Sequence, residues 1–200
     1  MQKLFNYYRQ LLDDNREWLK ISAAWFILAA LVGSAMVFIK PDLLASIIAG
    51  FRDRFGDSPA LDMNLAWQIF LQNLTASAVA LFGGFFLGLG AVFVVGINGF
   101  ILGFVVTSIL ISVASLPAAL ILIFGGIVPH GILELSAFFL AGAIGLRLGT
   151  QWLGHASAGQ RWPVLKQNWK QAVLFFPLIT IVLFLAALVE VFISGRIVGN

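Results

Sequence analysis

The sequence predicts an all-α fold: a polytopic membrane helix bundle with about five transmembrane helices, a re-entrant, broken segment and amphipathic interfacial helices. Two observations predict it. Of the 200 residues 60% are hydrophobic and 10% charged, with a mean hydropathy of +0.99, whereas soluble domains run near about 45–50% apolar and about 25% charged. From Met63 to Leu133 there is no Asp, Glu, Lys or Arg, a run far longer than the roughly 20 residues of one crossing, so it must fold back inside the membrane. The same composition narrows the function classes. There is no cysteine, hence no disulfide or thiolate site. A net charge of +3, from 12 Lys/Arg against 9 Asp/Glu, is too mild and too dispersed for a nucleic-acid partner. Basic residues beside spans orient a membrane protein and touch anionic lipid, which makes the lipid bilayer the first partner.

Taken in order, residues 1–20 read as a cytoplasmic amphipathic helix. Leu4, Tyr8, Leu11, Leu12 and Leu19 fall at helical spacing, away from Arg9, Asp13, Arg16 and Glu17, the pattern of a helix lying in the membrane interface. No small-residue cleavage site follows the first apolar run, so a retained signal-anchor is expected. Residues 21–200 read as a single transmembrane bundle domain. Its first span is 21–39, where 19 apolar or small residues reach about 28 Å at 1.5 Å per residue. In the polar segment 40–64, Leu44, Ile47, Ile48, Phe51 and Phe55 form a second amphipathic stripe, and Gly56-Asp57-Ser58-Pro59 reads as a turn. Asn-Gly is a strong turn signal, so Gly96-Ile97-Asn98-Gly99 divides the charge-free run into a second span at about 69–95 and a third at about 98–114. After Ser115-Leu116-Pro117, Ala118 to Val128 has 11 residues, too few to cross, and reads as a re-entrant half-helix at about 116–128. Pro129 suits the first turn of a new helix, where its missing N–H does no harm; that fourth span runs from about 129 to 148. A polar, Trp-rich loop at 150–171 contains Trp152, His155, Arg161, Trp162, Lys166, Trp169 and Lys170, and the last span is about 172–193.

Lysine and arginine set the orientation. The N-terminal segment carries Lys3, Arg9, Arg16 and Lys20, and the 150–171 loop carries Arg161, Lys166 and Lys170 with Arg147 just before it. Five spans put these two richest segments on one side; six would separate them. The positive-inside rule therefore puts the N-terminus in the cytoplasm and the C-terminus outside the cell membrane.

Gly84-x-x-x-Gly88, Gly99-x-x-x-Gly103 and Gly145-x-x-x-Gly149 each place two small residues on one helix face, which lets backbones approach closely. Packing inside one subunit is the first reading of such faces and a homodimer interface the second. Ionisable residues at membrane depth are costly and face the bundle interior or a water cavity. Glu134 lies about one turn into the fourth span with His130 four residues earlier, so both project from one helix face. They are expected to hydrogen-bond one another and brace the broken segment, whose freed backbone groups need polar partners; an ion or proton path is the alternative. Asn73 is placed to bond across to a neighbouring helix, Asn98 to serve the turn, and Glu190 to snorkel to water or cap an outer vestibule. Catalysis fails on inventory: no cysteine, no His-Glu-x-x-His, no lysine inside a predicted span. One His and one Glu are too few ligands for a catalytic zinc. No catalytic residue, cofactor or metal is expected.

These residues carry a resemblance. Pro129-His130-Gly131-x-x-Glu134 followed by Ala141-Gly142-Ala143-x-Gly145, with Phe70-x-x-Asn73, Gly88, Asn98-Gly99-x-x-x-Gly103 and the Glu190 region, resembles the core of the stage II sporulation protein M family over roughly residues 65–195. The resemblance implies a multi-span membrane protein with no established enzymatic activity. In spore formers the namesake acts in septal membrane migration during engulfment, anchoring the peptidoglycan-degrading stage II sporulation proteins D and P. Relatives occur in organisms that never sporulate, so sporulation itself is not implied. The expected function is a non-enzymatic membrane scaffold for other membrane or envelope proteins; a small transporter or channel with a polar site at His130 and Glu134 is the alternative.

Overall fold

Inside lipid a chain must satisfy its own backbone hydrogen bonds, and helices do so within one segment. The computed structural model describes residues 2–56, 60–154 and 158–198, and every regular element among them is helical. In order these are α1 (Gln2–Asp14), α2 (Arg16–Ile39), α3 (Leu43–Phe55), α4 (Met63–Phe82), α5 (Leu89–Ser112), α6 (Leu116–Ile121), α7 (Val128–Thr150), α8 (Ala158–Val189) and the short α9 (Gly195–Val198). A π-helical turn, Leu122–Ile127, joins α6 to α7, and another, Glu190–Ser194, joins α8 to α9. Five helical stretches are long and apolar enough to cross a membrane: Arg16–Ile39, Met63–Phe85, Leu89–Ser112, Leu116–Gly154 and Gly159–Ile197. Many of their outward side chains are large and apolar. Phe38, Phe93 and Ile132 are 73%, 67% and 63% exposed, as a lipid-facing surface requires and a water-facing one rarely tolerates.

The spans number five as expected, but their bounds differ. Asn98 and Gly99 make no turn. They lie within α5, where Asn98 Nδ2 donates to the Val94 carbonyl one turn back at 2.8 Å. The chain reverses instead at 83–88, through a 3-10 turn (Gly83–Phe85) and then Leu87 and Gly88 in left-handed conformation, at φ 56° and 80°. That conformation is free for Gly88 and strained for Leu87. The second span therefore begins at Met63, with the Asp62 carboxylate accepting from the Leu65 N–H at 2.9 Å, and ends well before 95; the third begins at Leu89. Local turn propensity lost here to burial: Gly99 is needed against α2, so the helix runs through it.

The segment 116–128 is not re-entrant. It is helical and continues into α7, giving one stretch of 39 residues. Pro129 lacks an N–H and crowds the preceding turn. The π-helical turn just before it widens the helix, with the Val128 N–H bonding back to the Ile123 carbonyl, so the helix passes the proline unbroken. Nor is 150–171 a loop. A 3-10 turn (Gln151–Gly154) leads to α8, which carries Trp162, Lys166, Trp169 and Lys170 on its first turns and passes through both Pro163 and Pro177. The last span is thus a long helix whose basic end precedes its apolar part, and Trp169 stacks on Phe82 at 5.9 Å. The first span starts at Arg16, five residues earlier than 21, and Asn15 alone separates it from α1. The turn at Gly56-Asp57-Ser58-Pro59 falls largely on 57–59, outside the described residues, as does His155.

α7 is the centre of the bundle, packed by α2, α4, α5 and α8. Its residues from Ala137 to Gly149 are almost all buried, and many are Ala or Gly because neighbouring backbones come too close there for a larger side chain. A Cβ added at Gly84, Gly145 or Gly149 would fall closer than 3.0 Å to backbone of Gly145, Ala80 or Gly84. Gly33, Gly99 and Gly103 make the equivalent seam between α2 and α5, against Phe100, Phe26 and Ala30. Both seams lie inside the subunit. Larger side chains fill the rest of the core, chiefly Phe138, Ile144 and Leu148 from α7 itself and Leu81, Phe175 and Leu183 from its neighbours.

The crossings alternate, so the chain's turns gather at two ends. Asn15, the 83–88 turn and the start of α8 meet at one: Gly149 packs on Gly84 and Gly88, and Asn15 bonds to Gln171. Leu61, Gly125, Gly195 and Ile197 meet at the other.

Candidate functional site

Most of the charged and amide side chains inside the bundle gather into two clusters, one towards each end. The first is built where the two π-helical turns face each other. His130 and Glu134 are one turn apart on α7, and Glu190 and Ser194 are one turn apart on the π-helical turn after α8. The ligand atoms of His130, Glu134 and Glu190 all lie within 4.8 Å of one another. The hydrogen bond of His130 is not the one expected. Its Nδ1 pairs with Ser194 Oγ at 3.2 Å, not with Glu134. Glu134 is therefore not the brace for His130; a serine from the last helix is. His130, Glu190 and Ser194 line a cavity of about 310 Å³ whose remaining wall is apolar, from Val105, Ile109, Leu122 and Ile127 among others. Glu190 neither snorkels away nor stands alone: it turns into the same cavity as His130.

The second cluster escaped the sequence reading. Arg147, at 8% exposure, is buried near the far end of α7, about 26 Å along the helix from His130 at 1.5 Å per residue. Its guanidinium donates to Gln151 Oε1 at 2.8 Å, to the Asp14 carbonyl at 3.2 Å and to Asn15 Oδ1 at 3.0 Å. Asn15 in turn donates to the Leu11 carbonyl at 2.7 Å and to Gln171 Oε1 at 3.3 Å, and Asn168 donates to the Arg147 carbonyl at 3.2 Å. A planar fork of donors suits such a multidentate site better than an ammonium does. This network ties the α1–α2 junction to α7 and α8. One sign of it stood in the sequence: Arg147 interrupts Gly145-x-x-x-Gly149, a face otherwise reserved for close packing.

The remaining expected residues lie elsewhere. Asn73 sits half-buried in α4 and makes no bond across to a neighbouring helix among the described residues. Asn98 bonds within its own helix, and Gly99 serves the α2–α5 seam. Pro129 and Gly131 belong to the first cluster by position. Pro129 follows the π-helical turn, and a Cβ on Gly131 would meet nothing nearer than Ile127 Cγ2 at 4.0 Å.

Five apolar crossings around a small-residue central helix, with polar groups held inside near both ends, define a multi-pass α-helical membrane protein. The chain belongs to the stage II sporulation protein M family, whose model matches residues 22–195. That match runs from the first turns of α2 to the start of α9 and takes in both Arg147 and the His130 cluster. Comparison with curated proteins and with solved structures gives no match.

Proposed function

We propose that this protein is a non-enzymatic scaffold of the cell membrane that anchors partner membrane or envelope proteins. The observation that carries the reading is its membership of the stage II sporulation protein M family over 22–195, since anchoring of partners is the role that the family's namesake implies. The packing supports it. Helices joined backbone to backbone along Gly84, Gly145 and Gly149 make a closely packed bundle. α3 offers a surface, since it packs little on the rest of the bundle and leaves Ile48 exposed. The N-terminus lies in the cytoplasm and the C-terminus outside, because the two segments richest in Lys and Arg share one end of the bundle.

Photo-crosslinking residues placed at Ile48, Ala49 and Arg52 in native membranes test the reading. The expected result is one recurring set of protein adducts from all three positions, lost when the chain is extracted into detergent. Adducts to lipid alone, across several growth conditions, overturn it. A second reading, ion or proton transport, draws on the cavity beside His130 and Glu190. Flux through purified protein in liposomes that disappears with Glu190→Gln would put transport in place of the scaffold.

A further inference from the structure

We propose that His130, Glu134 and Glu190 form a binding site for one divalent transition-metal cation. Four observations converge on it. The donors come from two different helices yet stand within 4.8 Å of one another. Zinc bound at about 2.0–2.2 Å holds its ligands roughly 3.3 Å apart, so side-chain rotation of about an ångström closes the set around an ion. The histidine is already oriented: Ser194 Oγ engages Nδ1 at 3.2 Å and leaves the other ring nitrogen for a ligand bond, the arrangement by which an outer partner fixes a metal-binding imidazole.

The two carboxylates also lack a cationic partner. The one ion pair among the described residues is Lys20 with Glu17, on the surface of α2. Around the cluster stand Val105, Ile109, Leu122 and Ile127, which offer no compensating charge. Two carboxyl groups held together against an apolar wall are costly as anions, and a divalent cation offsets that charge in both at once.

Finally, both helices depart from α geometry at this point. A π-helical turn ends just before Val128, and another begins at Glu190 and includes Ser194. Such turns gather at functional sites because they re-aim side chains that a regular helix would disperse. Here the pair brings three ligand-bearing side chains to one place. The cavity of about 310 Å³ gives an approach for the ion and room for water at its open positions, each water taking about 30 Å³. One imidazole with two carboxylates suits zinc, manganese or ferrous iron; magnesium and calcium favour all-oxygen sites. Spacing along the sequence offered two ligands at i and i+4, and the fold adds the third.

Zinc is the stringent probe, since an N/O site binds it more tightly than manganese or ferrous iron. The sequence has two histidines and no cysteine, so the full chain carrying His155→Ala and a histidine-free tag leaves His130 as the one imidazole. Stripped with chelator in detergent and titrated with zinc against a chromophoric competitor, it is expected to bind one zinc per chain. Glu190→Gln and Glu134→Gln are each expected to weaken binding by at least about tenfold. X-ray absorption of the zinc-loaded His155→Ala protein is expected to show one imidazole nitrogen and carboxylate oxygens at about 2.0–2.2 Å. That spectrum needs no further variant and decides the matter if the glutamine variants fail to fold. Monodisperse protein that takes up no stoichiometric zinc overturns the proposal. So does a spectrum without imidazole, or a folded Glu190→Gln that binds zinc as its parent does.

Discussion

At Arg147 a guanidinium is almost wholly enclosed, yet its partners are carbonyl and amide oxygens. Its value lies in geometry, because three acceptors on two segments are met by one rigid fork. Arg147→Met strips the donor from Asn15 Oδ1 and the Asp14 carbonyl and is expected to destabilise the bundle by about 3 kcal/mol. Arg147→Lys recovers less than half of that, since an ammonium does not reproduce the fork. Unfolding of the purified protein in mixed detergent micelles measures both, and equal stability of Lys and Arg would refute the account. Gly131→Ala, by contrast, makes only an ordinary contact with Ile127 Cγ2 at 4.0 Å and is expected to change stability by less than about 0.5 kcal/mol. At this scale the sequence showed unevenly. His130, Glu134 and Glu190 stood out because charge is scarce in the spans. Ser194 and the Arg147 network did not, because a serine or a flanking arginine acquires its meaning when a distant helix arrives beside it.

Among the elements, the glycine seams were legible as Gly-x-x-x-Gly faces and the helix boundaries were not. Asn98-Gly99 carries the local signature of a turn, but in lipid an internal break leaves backbone groups without partners, and Asn98 simply bonds to the turn before it. The reversal falls where Gly83, Gly84, Gly88 and Gly90 cluster. Pro129 stands in the first turn of α7, as its missing N–H suggested, but the π-helical turn before it joins that helix to α6 instead of leaving a break. Two substitutions separate packing from propensity. Gly145→Ala forces the α4 backbone away and is expected to cost about 2 kcal/mol or more. Gly50→Ala, in α3 with nothing within 4 Å of the new Cβ, is expected to be neutral or to stabilise by about 0.5–1 kcal/mol, since alanine is the better helix former. Thermal melts of the two variants side by side test the contrast; a stable Gly145→Ala would mean that the seam is loose.

For the whole molecule, the number of crossings was readable because hydropathy and length act over about 20 residues and average out local error. The sidedness we propose rests on an odd number of crossings together with the basic segments at one end. An alkaline phosphatase fusion at the C-terminus is expected to be active, and one inserted after Leu87 inactive. An inactive C-terminal fusion would reverse the orientation or change the count of crossings.

Asn15 reaches Gln171 across 156 positions of chain, and that has a consequence for biosynthesis. The first helix leaves the ribosome with its share of the polar network unmade. Arg147 joins only after three further crossings have been inserted, and Gln171 only with the last. Until then Asn15 and Arg147 must stay hydrated at the membrane surface, so the N-terminal helix is kept from docking early and the order of synthesis becomes the order of assembly. A ribosome stalled before residue 171 should leave α1 open to protease, and release of the finished chain should close it.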